Sequence, residues 1–491
     1  MNRQITRLAV TGVALIGALI VATTYWQTLA VAGLTDRQDN AIERVAEFTI
    51  ERGLIQGRDR TPLFAENVRR KVSGKTFYFR RYPLRGLAAH VVGYSTRGRS
   101  RAGLERSLND FLTASNANLS TVLDTSLDRL RGTTIEGNDV ILTLNARAQR
   151  AALNALGGRC GAAVVLEPST GRVLVLASSP TYNPNLVERN FGQIRQIRAD
   201  CAPANALLNR ATLGLYAPGS TFKVVTAAAA LESGRYSLES TFDDPGFCVE
   251  YGRRVSNYDT SSPFGRVNFL QAMQYSINSV FCNIGKDLGA TDILDMARRF
   301  GFYAKPPLET PINERVASGL YAKGELFTPK NDFEADPGRL AFGQERLLVT
   351  PLQMAMVAAA VANDGVVMRP YVVERIVSPG RKTVARTRPD ELGRAVSKQT
   401  ANALTAMMKA VVSSGTAARS GLAPGTAGKT GTAETGRAGV NTTSFIAFAP
   451  ADTPQVAIAV ILESQRGTGG STAAPVARQI LQALPGSGSN S

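Results

Sequence analysis

An α+β fold, with an antiparallel sheet built from both ends of the region after residue 140, is predicted by three observations on this 491-residue chain. Ala162 to Leu166 and Arg172 to Ala177 are strand-like runs joined by the turn residues Pro168-Ser169-Thr170-Gly171. Ser444 to Ala449 and Val456 to Leu462 repeat that pattern around Pro450 to Pro454. Between the two pairs lie longer helical patterns, such as Ser220 to Leu231 and Pro351 to Ala362. Strands at both ends and helices between them are accounted for by one sheet with helices on its faces and a mainly helical insert.

The elements follow in chain order. After Arg3 and Arg7 no charge appears from Leu8 to Thr35, and the mostly apolar run Leu8 to Trp26 is long enough to span a bilayer core of about 30 Å. Arg3 and Arg7 place the short amino end inside the cell, with Tyr25 and Trp26 at an interface. Ala30-Val31-Ala32 has the form of a signal-peptide cleavage site, but such a peptide has an apolar region of only about 7 to 15 residues. A retained anchor over residues 1–35 is the expectation, and either reading puts the rest outside the cytoplasm. Residues 36–140 are polar, arginine-rich and irregular, and read as a separate domain rather than a linker. A domain of residues 141–485 begins beside the alternating stretch Asp139 to Leu144 and the helical Ala146 to Leu156, and 486–491 form a short tail.

Chemistry is carried by three motifs in one order: Ser220-Thr221-Phe222-Lys223, Ser276-Ile277-Asn278 and Lys429-Thr430-Gly431. Chance supplies roughly one or two S-x-x-K matches in a chain of this length, so the ordered triple is the signal. Ser107-Leu108-Asn109 also fits S-x-N but lies before the serine. An alcohol needs a neighbour that takes its proton as it attacks a carbonyl. The single histidine, His90, sits in an arginine-rich segment far upstream, which leaves Lys223 as the base of Ser220. On a helix the two share a face at i and i+3, within hydrogen-bonding reach, and desolvation would favour the neutral amine. Ser276 would relay a proton between Lys223 and a leaving amine, and Asn278 would hold a substrate amide. Lys429 would supply charge for a carboxylate and an oxyanion, and Gly431 lets a substrate backbone approach a strand edge.

On these residues the chain resembles the penicillin-binding transpeptidases, within them the monofunctional class B type. Tyr216-Ala217-Pro218-Gly219-Ser220-Thr221-Phe222-Lys223 is similar to the family's nucleophile segment. Gly343-Gln344-Glu345 with Thr350-Pro351-Leu352-Gln353-Met354-Ala355 is similar to its cleft border, and Lys429-Thr430-Gly431-Thr432-Ala433-Glu434 to its third motif. Arg52-Gly53-Leu54-Ile55 and Gly103-Leu104-Glu105 resemble marks of its β-rich, dimerisation-like pedestal. The chain departs from many relatives in carrying Thr443-Ser444 where they have an aromatic residue.

The resemblance implies the penicillin-binding transpeptidase fold after a β-rich pedestal and one transmembrane helix. It implies peptidoglycan D,D-transpeptidation through an acyl-enzyme on Ser220, with backbone amides of Ser220 and Thr432 as oxyanion hole. Thr430 and Thr432 would hold the carboxylate of a stem peptide or a β-lactam. It also implies a polytopic SEDS-family glycosyltransferase as partner, at the cytoplasmic membrane. The alternatives are a D,D-carboxypeptidase or β-lactamase, which passes the acyl group to water, and a non-catalytic β-lactam sensor.

No cofactor and no metal is expected, because no C-x-x-C or histidine cluster occurs. Cys160, Cys201, Cys248 and Cys282 permit three full disulfide pairings or buried thiols. The net charge of +17 invites a nucleic-acid partner, which the anchor argues against. Arginines 69, 70, 80, 81, 85, 97, 99 and 101 are the residues available for an anionic partner outside the cell.

Overall fold

A computed structural model describes residues 2–25, 47–115 without 59 and 99, and 135–484 without 202, 259–262 and 332–333. The amino-terminal run forms helix α1, Asn2–Thr24, with Val13, Leu15, Leu19 and Val21 exposed. Among the described residues no helix is long and apolar enough to cross a membrane. Trp26, the Ala30-Val31-Ala32 site, Arg99 and the tail 486–491 lie outside the described residues.

The pedestal is more regular than its composition suggests. Its strands include β1, Ile55–Gln56, β2, Leu63–Val72, and β3, Lys75–Arg81, and Gly74 at φ +79° closes the β2–β3 hairpin. The two pedestal segments singled out in the sequence meet. Arg52 Nη2 lies 3.0 Å from Glu105 Oε2, and Arg80 Nε donates to Glu105 Oε1 at 2.7 Å. Arg80 is therefore lost to an outside anion, its side chain 1% exposed. Arg81, Arg97 and Arg101 are likewise paired, with Glu66, Glu188 and Glu47. Ser107-Leu108-Asn109 belongs to this network too, since Asn109 Oδ1 accepts from Arg52 and Arg101 at 2.8 Å each.

Strand β4, Asp139–Leu142, leads to helix α2, Ala146–Leu156, capped by the Asn145 side chain. Then come β5, Gly161–Leu166, and β6, Val173–Ser179. Helix α3, Lys223–Glu232, opens the helical insert. It is followed by the hairpin β7, Phe247–Glu250, with β8, Arg253–Ser256, and by helix α4, Asn278–Arg299. Helix α5, Pro351–Ala362, starts at Thr350, whose side chain accepts from Gln353 N, and is buried from Pro351 to Val361. Strands β9, Val373–Val377, and β10, Thr383–Arg386, precede helix α6, Lys398–Ser413. The chain closes with β11, Ala427–Glu434, β12, Asn441–Ala449, β13, Val456–Gln465, and helix α7, Ala474–Leu481.

The central sheet runs β11-β12-β13-β5-β6, antiparallel throughout, so both ends of the region do form it. Every residue of β5 is buried, because α2 and α7 pack against the sheet as one pair while α5 packs against β5, β12 and β13. A second sheet, β10-β9-β4-β1-β2-β3, joins the pedestal to later chain. In it β4 pairs in parallel with β1 and antiparallel with β9, so the expected boundary near residue 140 falls within a shared strand. The cysteines form Cys160–Cys201 and Cys248–Cys282, the latter tying β7 to α4. Cys160, Cys201 and Glu463 are the one group among the described residues close enough to hold a metal. Disulfide sulfur offers no thiolate to such an ion, and Glu463 Oε1 accepts from Arg210 and Tyr216 at 2.8 Å each.

Candidate active site

The three motifs converge on one cleft of about 880 Å³, lined among others by Ser220, Ser276, Asn278, Thr430 and Thr432. Ser220 lies in the 3₁₀ turn Gly219–Phe222 that runs into α3. In such a first turn the backbone N–H groups have no intrahelical acceptor. Gly219 has φ +54°, and a Cβ there would lie 2.8 Å from Thr432 O, so glycine lets the nucleophile turn press against β11. Gly219 N donates to Gly343 O at 3.0 Å, which brings the Gly343-Gln344-Glu345 stretch to the cleft border.

Lys223 and Lys429 are both fully buried and both reach Ser276. Lys223 Nζ donates to Ser276 O at 2.7 Å, Asn278 Oδ1 at 2.8 Å and Ser276 Oγ at 3.3 Å. Lys429 Nζ donates to the same Ser276 Oγ at 2.8 Å and to Thr430 O at 2.9 Å. The expected Ser220–Lys223 hydrogen bond is not among these; Lys223 Nζ is engaged instead by Ser276 and Asn278 of the second motif. Burial drops Lys223 well below its ordinary value, and Lys429 pushes it the same way. Burial alone pulls Lys429 down to about 7. Among the described residues neither lysine has a carboxylate partner, so each sheds its proton readily.

The second motif is held under strain. Ser276 has φ +59°, a costly conformation for a residue with a Cβ, and it aims Oγ between the two lysines. Asn278 Nδ2 donates to Ser256 O at 3.0 Å, which leaves its second hydrogen for a substrate carbonyl. Behind it, Asp244 accepts from Ser279 Oγ, Asn257 Nδ2, Gly246 N and Phe264 N, and so fixes the β7–β8 wall to the start of α4.

The third motif occupies β11, the edge strand of the central sheet, whose free side faces the cleft. Thr430 Oγ1 meets Thr416 Oγ1 at 2.6 Å, and Thr432 Oγ1 accepts from Gly469 N at 3.1 Å. Thr443 lies opposite Thr432, and Ser444 Oγ donates to Pro218 O at 3.0 Å. A Cβ on Gly431 would lie 2.2 Å from Ser444 Oγ, so small residues are required on both strands here. Thr416, Arg254, Tyr258, Phe264, Tyr275 and Arg339 also line the cleft and were not singled out in the sequence. Thr416 follows Ser413-Ser414-Gly415, a turn signal that gives no hint of its long-range partner.

A serine facing a cleft, a buried lysine of lowered pKa, a second hydroxyl shared by two lysines, and an open strand edge define an acyl-transfer site of Ser-Lys type. Residues 161–482 match the family of the penicillin binding protein transpeptidase domain, and 52–140 that of the penicillin binding protein A dimerisation domain. The chain belongs to the penicillin-binding protein transpeptidase family, in its class B branch. It is 34% identical to the peptidoglycan D,D-transpeptidase PbpA of Mycolicibacterium smegmatis, over 100% of both chains. It is 35% identical to PbpA of Mycobacterium tuberculosis, over 98% of this chain and 99% of that one. Its structure resembles the ceftriaxone acyl-enzyme of penicillin-binding protein A from M. tuberculosis with a TM-score of 0.79 and 33% identity. That likeness covers 89% of this chain and 99% of the other.

Proposed function

We propose that this protein is a peptidoglycan D,D-transpeptidase that cross-links stem peptides through an acyl-enzyme on Ser220 and is acylated there by β-lactams. The observation that carries this reading is the sharing of Ser276 Oγ by Lys223 and Lys429, 3.3 and 2.8 Å away, in the cleft that holds Ser220. Ser220 Oγ attacks the penultimate D-alanine carbonyl while neutral Lys223 takes its proton. The tetrahedral oxyanion is held by backbone N–H groups of Ser220 and Thr432. Collapse breaks the peptide bond, and the proton on Lys223 passes through Ser276 to the departing D-alanine amine. An amine of a neighbouring strand then attacks the ester, returning the proton by the same route and freeing Ser220. Lys429 keeps Ser276 oriented and supplies charge, Thr430 and Thr432 bind the terminal carboxylate, Asn278 holds the donor amide, and Gly431 keeps the strand edge open.

In this reading residues 1–35 are the cytoplasmic end and a single-pass anchor in the cytoplasmic membrane, 36–140 the pedestal and 141–485 the catalytic domain outside the cell. The exposed apolar side chains of α1 support attachment there. A SEDS-family glycosyltransferase is the partner proposed at anchor and pedestal. The test is a time course of fluorescent-penicillin labelling in wild type and Ser220→Ala. Long-lived label that requires Ser220 is the expected result. Label that persists in the variant would remove the nucleophile, and label lost within a turnover would move the reading to a hydrolase.

A further inference from the structure

Glu434 stands on the same strand as the carboxylate-binding threonines. Alternate residues of a strand face one way, so Thr430, Thr432 and Glu434 present their side chains to one side of β11, and all three line the cleft. Glu434 is exposed and, among the described residues, has no ion pair and is the one carboxylate lining the cleft. The other charged residues lining it, Arg254 and Arg339, are both cationic.

The direction of the donor peptide follows from the proposed function, on which this inference rests. Its terminal carboxylate lies at the Thr430 and Thr432 hydroxyls and its scissile carbonyl at the Thr432 backbone N–H, so the chain upstream of the scissile bond runs along the strand edge toward Glu434. Two strand residues cover about 7 Å, which brings Glu434 beside the residue or two upstream of the terminal D-alanine pair. Cross-linking joins like strands, so each donor stem also carries the kind of amine that an acceptor stem offers. We propose that Glu434 is a specificity-determining residue that pairs with the protonated side-chain amine of the donor stem peptide. The same contact keeps that amine, on the donor itself, away from the ester on Ser220.

The test compares two synthetic donors ending in D-Ala-D-Ala, one with lysine immediately upstream of that pair and one with the lysine N-acetylated. D-alanine release gives kcat/KM for each with wild type, Glu434→Gln and Glu434→Lys. The wild type is expected to favour the cationic donor about threefold, the scale of an exposed ion pair, and to lose that preference at high salt. Glu434→Gln should bring the ratio to about one, and Glu434→Lys should invert it. A ratio that is the same in all three proteins, or release of neither donor by a wild type that takes penicillin label, would overturn the inference. Absence of Ser220-dependent penicillin label in the wild type would instead remove the reading of the site itself.

Discussion

Arg52, Arg80 and Glu105 in the pedestal, and Lys223 and Lys429 in the cleft, are buried ionisable side chains with opposite arrangements. In the pedestal one carboxylate takes two guanidinium groups, and Asn67, Asn109 and the Gly53 carbonyl accept from further guanidinium N–H groups, although Arg52 Nε has no partner among the described residues. Burial alone would push Glu105 up, but Arg80 and Arg52 outweigh it and hold the carboxyl below its ordinary value. The cluster stays ionised and serves as a joint between segments distant in sequence. In the cleft two lysine amines sit in an equally dry place with hydroxyl, amide and carbonyl partners only, so nothing there balances a charge on them. Their charge is not neutralised, so the proton becomes the part that is easily given up. The pairing of buried charge, more than burial, separates a structural cluster from a reactive one.

Two substitutions break that comparison from either side, and the larger effect is on chemistry. Lys223→Ala should lower the rate of acylation by fluorescent penicillin about 10² to 10⁴-fold, the worth of a positioned general base. The same change leaves Ser276 O and Asn278 Oδ1 without their lysine donor, so the urea midpoint should fall modestly as well. Glu105→Ala is its converse. It leaves Arg52 and Arg80 buried with no counter-charge and should cost roughly 3 to 5 kcal/mol in urea unfolding. The folded fraction should acylate at the wild-type rate, and a fall in that rate would mean that the two clusters are coupled through the shared sheet.

The reactive cluster was the more legible in sequence, because its residues sit in short motifs whose chemistry dictates their type. Ser220, Lys223, Ser276, Asn278, Lys429, Thr430 and Thr432 all reach one cleft or its wall, and both strand pairs of the central sheet were readable from alternation and turn residues. Local pattern carries no partner information, however. Lys223 therefore bonds to Ser276 and Asn278 rather than to the serine three residues before it. The strained φ of Ser276 depends on contacts from α3 and β11, which no window around Ser276 contains. The pedestal shows the same limit: eight arginines read as available to an anionic partner, while Arg80 is buried against a carboxylate that lies 25 residues away. The β4–β9 pairing that welds the pedestal to the catalytic region is longer-range still.

A pH series sharpens the contrast at a smaller scale. Lys429 has a folded value of about 7 against about 10.5 when unfolded. Between those limits the unfolded chain binds more protons, so stability rises with pH through the window, and the penalty of the buried charge is fully present below 7. Urea unfolding should show a gain between pH 7 and 9 that is about 2 kcal/mol larger in wild type than in Lys429→Met, which keeps the part due to Lys223. Glu105 behaves in the other direction: its contribution is present above the ordinary carboxylate range and is lost as the pH falls below 4.5 through its lowered folded value. Equal slopes for the two proteins between pH 7 and 9 would mean that Lys429 keeps its proton, as Arg52 does in the pedestal.

The smallest expected effect tests a neutral partner in the cleft. Thr416 and Thr430 share a 2.6 Å hydroxyl contact, and Gly470 stands against the Thr416 backbone, where a Cβ would come within 2.3 Å of its carbonyl. When Thr416 donates in this contact, the Thr430 hydroxyl keeps its own hydrogen for the substrate carboxylate of the proposed function. Thr416→Val keeps the shape and removes one hydrogen bond, worth about 1 kcal/mol, or about fivefold. That loss should fall on KM for a D-Ala-D-Ala donor, with kcat and the urea midpoint close to wild type, because the oriented hydroxyl binds the carboxylate equally before and during reaction. A fall in kcat with KM unchanged would instead place the Thr416–Thr430 pair on the transition state, next to Ser276 and its two lysines.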